Sequence, residues 1–422
     1  MHSVTNAIPT GTIASIPAKA HAHRALICAA LATSPSTILL SRTSKDIDAT
    51  MDSLRGLGAH VVYENKIVTV TPGPAPAKGN VVPHESGTTL RLLLPVASSI
   101  CNDVDVDAKG RLPDRPLEPM LGEMKAHGVT FSQDKPPFTM TGRLQGGNFS
   151  MVGDVSSQFF SGLLLAAPQI GLSTITSTTP LQSSDYVTLT TETMRDFGVE
   201  VEHTLPDTNI NEAFKVPFGA SFIGRDNYQI EGDWSNAAIW MVAAGMTGKP
   251  ITITGMNKNS VQADRRIIQV MIDAGCDVVW DGMNITVTGR ASKPIHVDLE
   301  QMPDMLPVMA ALACSISGES SFIKGARLRL KESDRLIAVA NLVRDLGGTV
   351  REEGDDLYII GSGILKGGHG NCVNDHRLVM AGTLMALISE NPVTLKDSEA
   401  ITKSYPDFFE DWNLLGGDAH GI

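Results

Sequence analysis

Residues 270–289 read VMIDAGCDVVWDGMNITVTG, and they contain the pattern that decides the fold. A helical stretch ends at Gly275, where a residue without a Cβ suits the left-handed conformation of a helix C-cap. The segments CDVVW and NITVT lie on either side of the turn DGM, which predicts a β-hairpin. The stretch therefore predicts a helix followed by two antiparallel strands.

The same pattern recurs along the whole chain. Five further segments align with it, and the six aligned glycines are separated by 70, 70, 77, 72 and 69 residues. Such near-constant spacing indicates an internal repeat. In the first five copies a helical stretch ends at the glycine and an extended segment follows. The other segments are SLRGLGAHVVY (53–63), EMKAHGVTF (123–131), TMRDFGVEV (193–201), LVRDLGGTV (342–350) and DWNLLGGDA (411–419), and the glycines are Gly58, Gly128, Gly198, Gly275, Gly347 and Gly416.

Each copy also contains an earlier helix that is apolar all round and carries its polar residues at the start, so we expect it to be buried. The complete unit is predicted as strand, buried helix, strand, outer helix, strand, strand, repeated six times. Helix N-termini carry unpaired N–H groups and partial positive charge, so N-termini that converge would bind an anion. The six helices are AKAHAHRALICAALA (18–32), SGTTLRLLLPVAS (86–98), SSQFFSGLLLAAP (156–168), WSNAAIWMVAAGM (234–246), PDMLPVMAALAC (303–314) and DHRLVMAGTLMAL (375–387).

The composition is that of a globular protein, because 42% of the 422 residues are apolar and only 19% are charged. A formal net charge of −12 disfavours nucleic acid and anionic membranes as partners, so an anion site must be a local cationic pocket. The five cysteines are scattered without a CxxC pair, which favours reduced, buried thiols. The sequence lacks the apolar core of a signal peptide and any stretch of membrane-spanning length. We therefore expect a cytoplasmic protein.

The first dense cluster of charge is PAKAHAHR, residues 17–24, directly before an apolar run. Lys19 and Arg24 stand at the start of a buried helix, which suits them to bind an anion, and a solvated helix end is the alternative. His21 and His23 lie about 200° apart around a helix, so they cannot chelate one ion. No HExxH motif or carboxylate cluster supports a metal either. We expect no metal here, and we expect both histidines at the surface or behind the residues that touch a ligand.

Further candidates stand at other helix starts and at loop ends. Those with a hydroxyl group are also consistent with plain helix caps. No GxxxxGK[ST] loop occurs, which argues against a P-loop nucleotide site. The run GSGILKGGHG (361–370) is predicted to be a flexible loop rather than a dinucleotide fingerprint. The candidates are Gly87 and Thr88 in ESGTTLR (85–91), Arg115 in RLPDRP (111–116), Ser156, Ser157 and Gln158 in DVSSQFF (154–160), Asp304 in MPD (302–304), Arg377 in NDHR (374–377) and Lys403 in TKSYPD (402–407).

The densest stretch is GARLRLKESDR, residues 325–335. Arg327, Arg329 and Lys331 alternate with leucines, so on a strand they would share one face. Lys331 and Arg335 would share a face if a helix starts at Lys331. Like charges held this close are unfavourable unless an anion neutralises them. A solvated charged strand is the alternative. The adjacent Glu332 is a candidate acid or base, and the whole set of candidates suits phosphorylated or carboxylated small molecules.

These motifs, taken in order from Ile16 to Phe409, resemble those of the 5-enolpyruvylshikimate-3-phosphate (EPSP) synthase family of enolpyruvyl transferases. The resemblance implies an α/β fold of two domains, each with three βαβαββ units around a pseudo-threefold axis. It implies domains of residues 19–227 and of residues 1–18 plus 228–422, with the active site in the cleft between them. It also implies transfer of the carboxyvinyl group of phosphoenolpyruvate to the 5-hydroxyl of shikimate 3-phosphate, with release of phosphate, in aromatic amino-acid biosynthesis. We expect a monomer without cofactor, acting on these small molecules.

The resemblance also assigns roles to the matching residues. Those implied to act in catalysis are Lys19, Asp304, Glu332 and His376. Phosphoenolpyruvate is implied to lie among Lys19, Gly87, Thr88, Arg115, Gln158, Arg335, Arg377 and Lys403. The acceptor is implied to lie among Ala20, Arg24, Ser156, Ser157, Gln158, Ser183, Tyr186, Asp304, Arg327 and Lys331.

One departure concerns the acceptor. The family usually has SKS around the lysine, whereas this chain has AKA, with Ala18 and Ala20. The second serine ordinarily helps to hold the acceptor's carboxylate, and losing a hydrogen bond to a charged group costs about 1.5–3 kcal/mol. Three interpretations stay open: weaker binding, a different cyclic alcohol, or replacement of the serine by His21 or water. Arg327 is a second position at which the family varies.

Two alternatives to the main hypothesis remain. One is a paralogue that adds a carboxyvinyl group to another acceptor. The UDP-N-acetylglucosamine version is disfavoured, because its loop carries a cysteine just before an Arg-Pro, and here the loop reads AKGRLPDRP (108–116). The other is a catalytically silent anion-binding homologue, against which the intact Lys19, Asp304 and Glu332 argue.

Overall fold

The computed structural model describes residues 1–205 and 212–422. The chain divides into two compact units. The middle unit is Pro17–Ile230, and the terminal unit combines Met1–Ile16 with Glu231–Ile422. In the described ranges, no helix is long and apolar enough to cross a membrane.

Buried and outer helices alternate along the described residues. Those that begin near the six predicted apolar segments are almost wholly buried, as predicted. In chain order the helices are α1 (Lys19–Ala30), α2 (Lys45–Gly56), α3 (Gly87–Ile100), α4 (Met120–Ala126), α5 (Ser157–Ile170), α6 (Asp185–Asp196), α7 (Trp234–Thr247), α8 (Ile267–Asp273), α9 (Leu306–Ser315), α10 (Arg335–Asp345), α11 (His376–Ala386) and α12 (Phe408–Leu414). The odd-numbered helices are the buried ones.

The strands are short and form small mixed sheets. In chain order they are β1 (His2–Val4), β2 (Gly11–Ala14), β3 (Ser36–Leu39), β4 (His60–Glu64), β5 (Ile67–Thr71), β6 (Gly79–Val81), β7 (Asp103–Val106), β8 (Thr130–Phe131), β9 (Phe138–Thr141), β10 (Asn148–Met151), β11 (Ser173–Ser177), β12 (Glu202–Thr204), β13 (Ala213–Val216), β14 (Tyr228–Gln229), β15 (Ile251–Thr254), β16 (Asp277–Asp281), β17 (Asn284–Thr288), β18 (His296–Asp298), β19 (Gly318–Ile323), β20 (Thr349–Glu353), β21 (Asp356–Gly361), β22 (Gly368–Asn371), β23 (Val393–Lys396) and β24 (Ala419–Gly421).

Each sheet holds four of these strands, one parallel pair and two antiparallel pairings. Among the described residues, the sheets of the middle unit are β14-β3-β5-β4, β6-β7-β9-β8 and β10-β11-β13-β12. Those of the terminal unit are β16-β17-β15-β2, β18-β19-β21-β20 and β22-β23-β1-β24. The predicted α/β architecture of repeated βαβαββ units is confirmed.

Three of these sheets, in the part of the chain that the structure describes, take a strand from a distant part of the sequence. Strand β14 lies parallel to β3, with Tyr228 opposite Ile38. Strand β2 lies parallel to β15, and β1 lies antiparallel between β23 and β24. The N-terminal residues thus complete two sheets of the terminal unit.

The repeated glycines end their helices as predicted. All six have a positive φ, between 87° and 104°, which a residue with a Cβ adopts only with strain. A further glycine sets how closely two buried helices pack. A Cβ on Gly162 of α5 would lie 2.5 Å from the carbonyl oxygen of Arg91 on α3, so the two backbones meet there without a side chain between them.

Three local predictions are wrong. Arg327 and Arg329 lie on a 3₁₀ helix, Ala326–Leu330, that ends before Lys331, so Arg327, Arg329 and Lys331 do not form a strand. The tight turn buries Leu328, whereas Arg329 bonds Asp334 and Asp355. Helix α10 begins at Arg335 rather than at Lys331, because the side chain of Asp334 caps it by accepting from the N–H of Ile337.

His21 and His23 are buried, so of the two places predicted for them the surface is excluded. Tyr228 supplies the ring of His21 with a hydroxyl partner, and Thr50 supplies that of His23. The third error concerns the run 361–370, which is not simply a loop. Its end forms β22, which pairs in parallel with β23.

Candidate functional site

In the middle unit, Lys19 is held at the start of α1 by an acidic partner. Its Nζ lies 2.7 Å from Oδ2 of Asp46. Asp46 stands in the first turn of α2, where the helix dipole favours a negative charge. Both side chains are mostly but not fully buried, at 20% and 15% exposure. The pair therefore holds a solvent-accessible ammonium group in place.

A series of hydrogen-bonded hydroxyl groups connects α1, α2 and α3 behind Lys19. Thr89 Oγ1 bonds Ser86 Oγ at 2.8 Å and Thr50 Oγ1 at 2.7 Å, and Thr50 bonds Nδ1 of His23 at 2.7 Å. Burial, aided by the charges of Lys19 and Arg24, holds the pKa of His23 well below its usual value. His23 is therefore neutral and structural, and these hydrogen bonds join α1, α2 and α3.

Arg115 lies against the first residue of α3. A Cβ on Gly87 would come within 2.6 Å of Nη1 of Arg115. Only glycine leaves room for the guanidinium at this distance. Ser86 caps the helix by accepting from the N–H of Thr89 at 3.2 Å. The helix N-terminus and the guanidinium therefore present positive charge at one place.

Gln158, in the first turn of α5, faces the start of α3. Its Nε2 donates to Thr88 Oγ1 at 2.9 Å, and its Oε1 accepts from Nη1 of Arg91 at 3.1 Å. Arg91 is buried, and its Nη2 donates to the carbonyl oxygen of Pro116 at 3.1 Å. The structure thus brings Gln158 and Thr88 into direct contact, and Arg91, which the sequence analysis missed, binds the other end of the Gln158 amide.

Arg24 is fully enclosed by groups of its own unit. Its guanidinium donates to Thr190 Oγ1 at 2.7 Å, to Ser161 Oγ at 3.3 Å, and to the carbonyl oxygens of Ala20 and Tyr186 at 2.7 and 3.0 Å. Burial lowers its pKa to about 10. In this structure Arg24 joins α1, α5 and α6 rather than pointing into open space.

The remaining predicted residues of the middle unit stand at helix starts. Ser156 caps α5 by accepting from the N–H of Gln158 at 3.3 Å, and Ser157 begins that helix. Ser183 is buried with a positive φ of 54° just before α6. His21 bonds the hydroxyl of Tyr228 at 2.8 Å, and burial lowers its pKa to about 4.

In the terminal unit, three cations surround Asp304. Its Oδ1 lies 3.1 Å from Nζ of Lys331 and 2.6 Å from Nη1 of Arg335, and its Oδ2 lies 3.7 Å from Nη2 of Arg377. Asp304 stands in the 3₁₀ turn that leads into α9, Lys331 and Arg335 precede and begin α10, and Arg377 lies in the first turn of α11. Three separate chain segments thus meet at one carboxylate.

Arg335 is the centre of this cluster. Its side chain is 1% exposed, and its Nη2 lies 2.6 Å from Oε2 of Glu332. Asp375 accepts hydrogen bonds from Nε of Arg335 at 2.8 Å and from the hydroxyl of Ser333 at 2.9 Å. Asp375 caps α11 as well, by accepting from the N–H of Arg377. The sequence analysis missed Asp375, although an aspartate before a buried helix is a recognisable cap.

The charges set the protonation of the cluster. Burial would raise the pKa of Asp304, but Lys331, Arg377 and Arg335 together outweigh it and hold that pKa well below its usual value. Burial lowers the pKa of Lys331 to about 8, against the opposing effect of Asp304. Asp304 is therefore ionised at neutral pH and able to accept a proton, and Lys331 titrates near the physiological range.

The other predicted residues of this unit lie nearby in sequence but have different partners. His376 is buried at the start of α11, with Nδ1 3.9 Å from Asp375. Lys403 donates to the carbonyl oxygen of Asn374 at 2.8 Å. Arg327 lies on the 3₁₀ helix before Lys331.

A further carboxylate that the sequence analysis missed is Asp264, which bonds the hydroxyl of Ser235 at the start of α7. Burial raises its pKa to about 6, with Asp304 and Asp233 adding to the shift and Arg377 opposing it.

The missed residues share one property, since each lies far along the chain from the group it holds. Within residues 1–205 and 212–422, no three His, Cys, Asp or Glu side chains are arranged to hold a metal.

Comparisons with known proteins identify a family that this chain resembles. A family model described as EPSP synthase (3-phosphoshikimate 1-carboxyvinyltransferase) matches residues 7–412. Relatives named 3-phosphoshikimate 1-carboxyvinyltransferase are 36% identical in Clostridium kluyveri and 35% identical in Methanocorpusculum labreanum, each over 97% of this chain and over 95% and 97% of the relative. The fold matches that of EPSP synthase from Acinetobacter baumannii, with a TM-score of 0.82 at 23% identity over 100% of this chain and 99% of the other.

Proposed function

The chain belongs to the EPSP synthase family, and we propose that it transfers the carboxyvinyl group of phosphoenolpyruvate to the 5-hydroxyl of shikimate 3-phosphate. The hydroxyl oxygen attacks C2 of phosphoenolpyruvate while C3 gains a proton, which gives a tetrahedral intermediate. Loss of a proton from C3 and departure of phosphate then form the enol ether. Both steps move protons next to concentrated negative charge, so they need an ionised base, a proton donor and fixed cations.

Asp304 carries the proposal, because it is an ionised carboxylate in contact with three cations. We assign it the proton of the attacking hydroxyl. The three cations lower the pKa of Asp304 and so make it a weak base. Phosphate and carboxylate groups of the substrates would share those cations, which would raise the pKa of Asp304 towards the range needed for proton transfer. Binding of the substrates thus switches on the base.

The substrate anions are assigned to the two sets of cations. We place phosphoenolpyruvate against Lys19, Arg115 and Gln158 with Gly87 and Thr88, and against Arg335, Arg377 and Lys403. We place the acceptor's phosphate at Ser156, Ser157, Ser183 and Lys331, and its ring near Tyr186, Arg24 and Arg327. Glu332, Lys19 and His376 are assigned the proton transfers at the methylene and phosphate ends. We further propose that residues of both units bind these substrates.

A second candidate is a carboxyvinyltransferase with another cyclic alcohol as acceptor. Two observations favour it. Ala20 lacks the hydroxyl that the family usually has, and Arg24 already donates to four protein groups. An acceptor without a carboxylate at that place would need neither residue.

The test mixes the purified protein with phosphoenolpyruvate and shikimate 3-phosphate and measures phosphate release with EDTA present. We expect turnover, and we expect Asp304→Asn to lower kcat about 10²- to 10⁴-fold. Asp298→Asn is the matched control, because Asp298 is an exposed aspartate of the same unit paired with Lys324 at 2.7 Å. Binding of phosphoenolpyruvate without phosphate release would favour the second candidate, and full activity of Asp304→Asn would refute the assigned base.

We also propose that the protein acts as a cytoplasmic monomer on small molecules alone, without nucleic acid or membrane partners. The five free, buried cysteines support a reducing compartment. Burial raises the pKa of each of these thiols, which keeps them unreactive.

A further inference from the structure

Arg91 lies behind two residues assigned to phosphoenolpyruvate without being one of them. It is buried on α3, one turn after Thr88, and its guanidinium carbon lies 5.6 Å from the ring centre of Phe159. Nη1 donates to Gln158 and Nη2 donates to the carbonyl oxygen of Pro116. Both acceptors belong to segments that carry a proposed anion ligand, Gln158 itself and Arg115.

The chemistry of these groups fixes the direction of each hydrogen bond. A guanidinium donates and never accepts, so the group of Gln158 that faces Arg91 must be its carbonyl oxygen. The amide nitrogen of Gln158 must then face Thr88 at 2.9 Å, and an amide nitrogen is a donor only. Thr88 Oγ1 therefore accepts from Gln158, and its own hydrogen is left to donate elsewhere.

We propose that Arg91 is a positioning residue that makes the Thr88 hydroxyl a donor to the phosphoenolpyruvate anion. The inference rests on the proposed function. A substrate anion offers only acceptors, so a site that binds it needs donors aimed at it before it arrives. Without Arg91, the amide of Gln158 could rotate by 180° and present its oxygen to Thr88. The hydroxyl would then donate to Gln158 and turn a lone pair towards the substrate.

Arg91 also anchors the loop that carries Arg115, through the adjacent Pro116. This second effect does not pass through Thr88. Removing Arg91 should therefore weaken phosphoenolpyruvate binding in two ways. One is loss of the relay, by which we mean the hydrogen bonds from Arg91 to Gln158 and from Gln158 to Thr88; the other is loss of the anchor at Pro116. Only the relay depends on the Thr88 hydroxyl. A double-mutant cycle separates the two parts, because residues that do not interact have independent effects.

The cycle compares the wild type, Arg91→Met, Thr88→Val and the double variant. The affinity for phosphoenolpyruvate is read as KM in turnover and, without shikimate 3-phosphate so that no reaction occurs, as Kd by calorimetry. We expect each single change to weaken binding about ten- to a hundredfold, the range for one hydrogen bond to a charged group. We expect the effect of Arg91→Met to be smaller by about fivefold or more when Thr88→Val is already present.

Three controls accompany the cycle. Arg195→Met removes an exposed arginine from α6 of the same unit, and its effect should be small and independent of Thr88→Val. Thr88→Ser keeps the hydroxyl and should retain more of the affinity than Thr88→Val does. Arg91→Lys keeps a donor for Gln158 and should recover more of the affinity than Arg91→Met does, a rescue that mere loss of packing would not give.

Equal effects of Arg91→Met in both backgrounds would overturn the relay. So would equal affinities of Thr88→Ser and Thr88→Val, a comparison that holds even if Arg91→Met fails to fold. The calorimetric cycle needs no turnover. A wild type that binds phosphoenolpyruvate without releasing phosphate would therefore refute the proposed reaction, while the cycle would still decide the relay.

Discussion

Replacing Gly87 by alanine places one methyl group against Arg115. The added Cβ would lie 2.6 Å from Nη1, 3.0 Å from Cζ and 3.3 Å from Nη2 of that side chain. These atoms are the far end of a flexible side chain, so the guanidinium can retreat. To reach ordinary contact at 3.4 Å, Nη1 must move by roughly 0.8 Å.

A retreat of that size removes a hydrogen bond. A bond of about 2.9 Å that lengthens by roughly 0.8 Å passes beyond the range of a real hydrogen bond. The loss of one bond to a charged ligand costs about 1.5–3 kcal/mol, so KM for phosphoenolpyruvate should rise about ten- to a hundredfold. The fold should not suffer, because Gly87 lacks a positive φ and alanine is the better helix former at the first position of α3.

The assay is the phosphate-release rate against phosphoenolpyruvate concentration at saturating shikimate 3-phosphate, with the melting temperature measured in parallel. Gly421→Ala is the matched control, because a Cβ on Gly421 would meet no atom within 4 Å. An unchanged KM would refute the reasoning about Arg115. A large fall in melting temperature would show instead that Gly87 serves the fold.

Three further predictions concern the acceptor and pH. Ala20→Ser should lower KM for shikimate 3-phosphate about ten- to a hundredfold by restoring a donor to its carboxylate, and an unchanged or raised KM would reject that account. The value of kcat/KM for the acceptor should fall as pH rises through about 8, where Lys331 loses its charge, and Lys331→Arg should flatten the profile. His21 binds protons only below about pH 4 when folded but below about 6.5 when unfolded. Stability should therefore fall as pH drops from 6.5 towards 4, by an amount of order 3 kcal/mol for this residue, and thermal melts of His21→Gln should lose that part of the dependence.

The repeat could be predicted from the sequence because it depends on local signals. A glycine at a helix end needs only its own backbone conformation, and all six predicted positions adopt it. The buried helices follow from their uniform apolarity. The error at Arg327, Arg329 and Lys331 shows the limit of this reasoning. Alternation with leucine suits a strand, but bonds from Arg329 to Asp334 and Asp355 favour a tight turn instead.

The partners within the site could not be predicted, because they come from distant segments. Asp46 lies 27 residues from Lys19, Gln158 lies 67 residues from Arg91, and Asp375 lies 40 residues from Arg335. No periodicity connects such pairs. Motifs supplied the proposed ligand-binding residues, but only the folded chain reveals the side chains that hold them.

The strands that close sheets out of sequence order govern how this chain can fold while it is being synthesised. The middle unit is one continuous segment, Pro17–Ile230, and it leaves the ribosome complete. Strand β1 must wait for β23 and β24, nearly 400 residues later, before its backbone finds partners. Strand β1 is therefore among the last of the described strands to be fixed, and the terminal unit cannot close its final sheet until residues 419–421 have emerged.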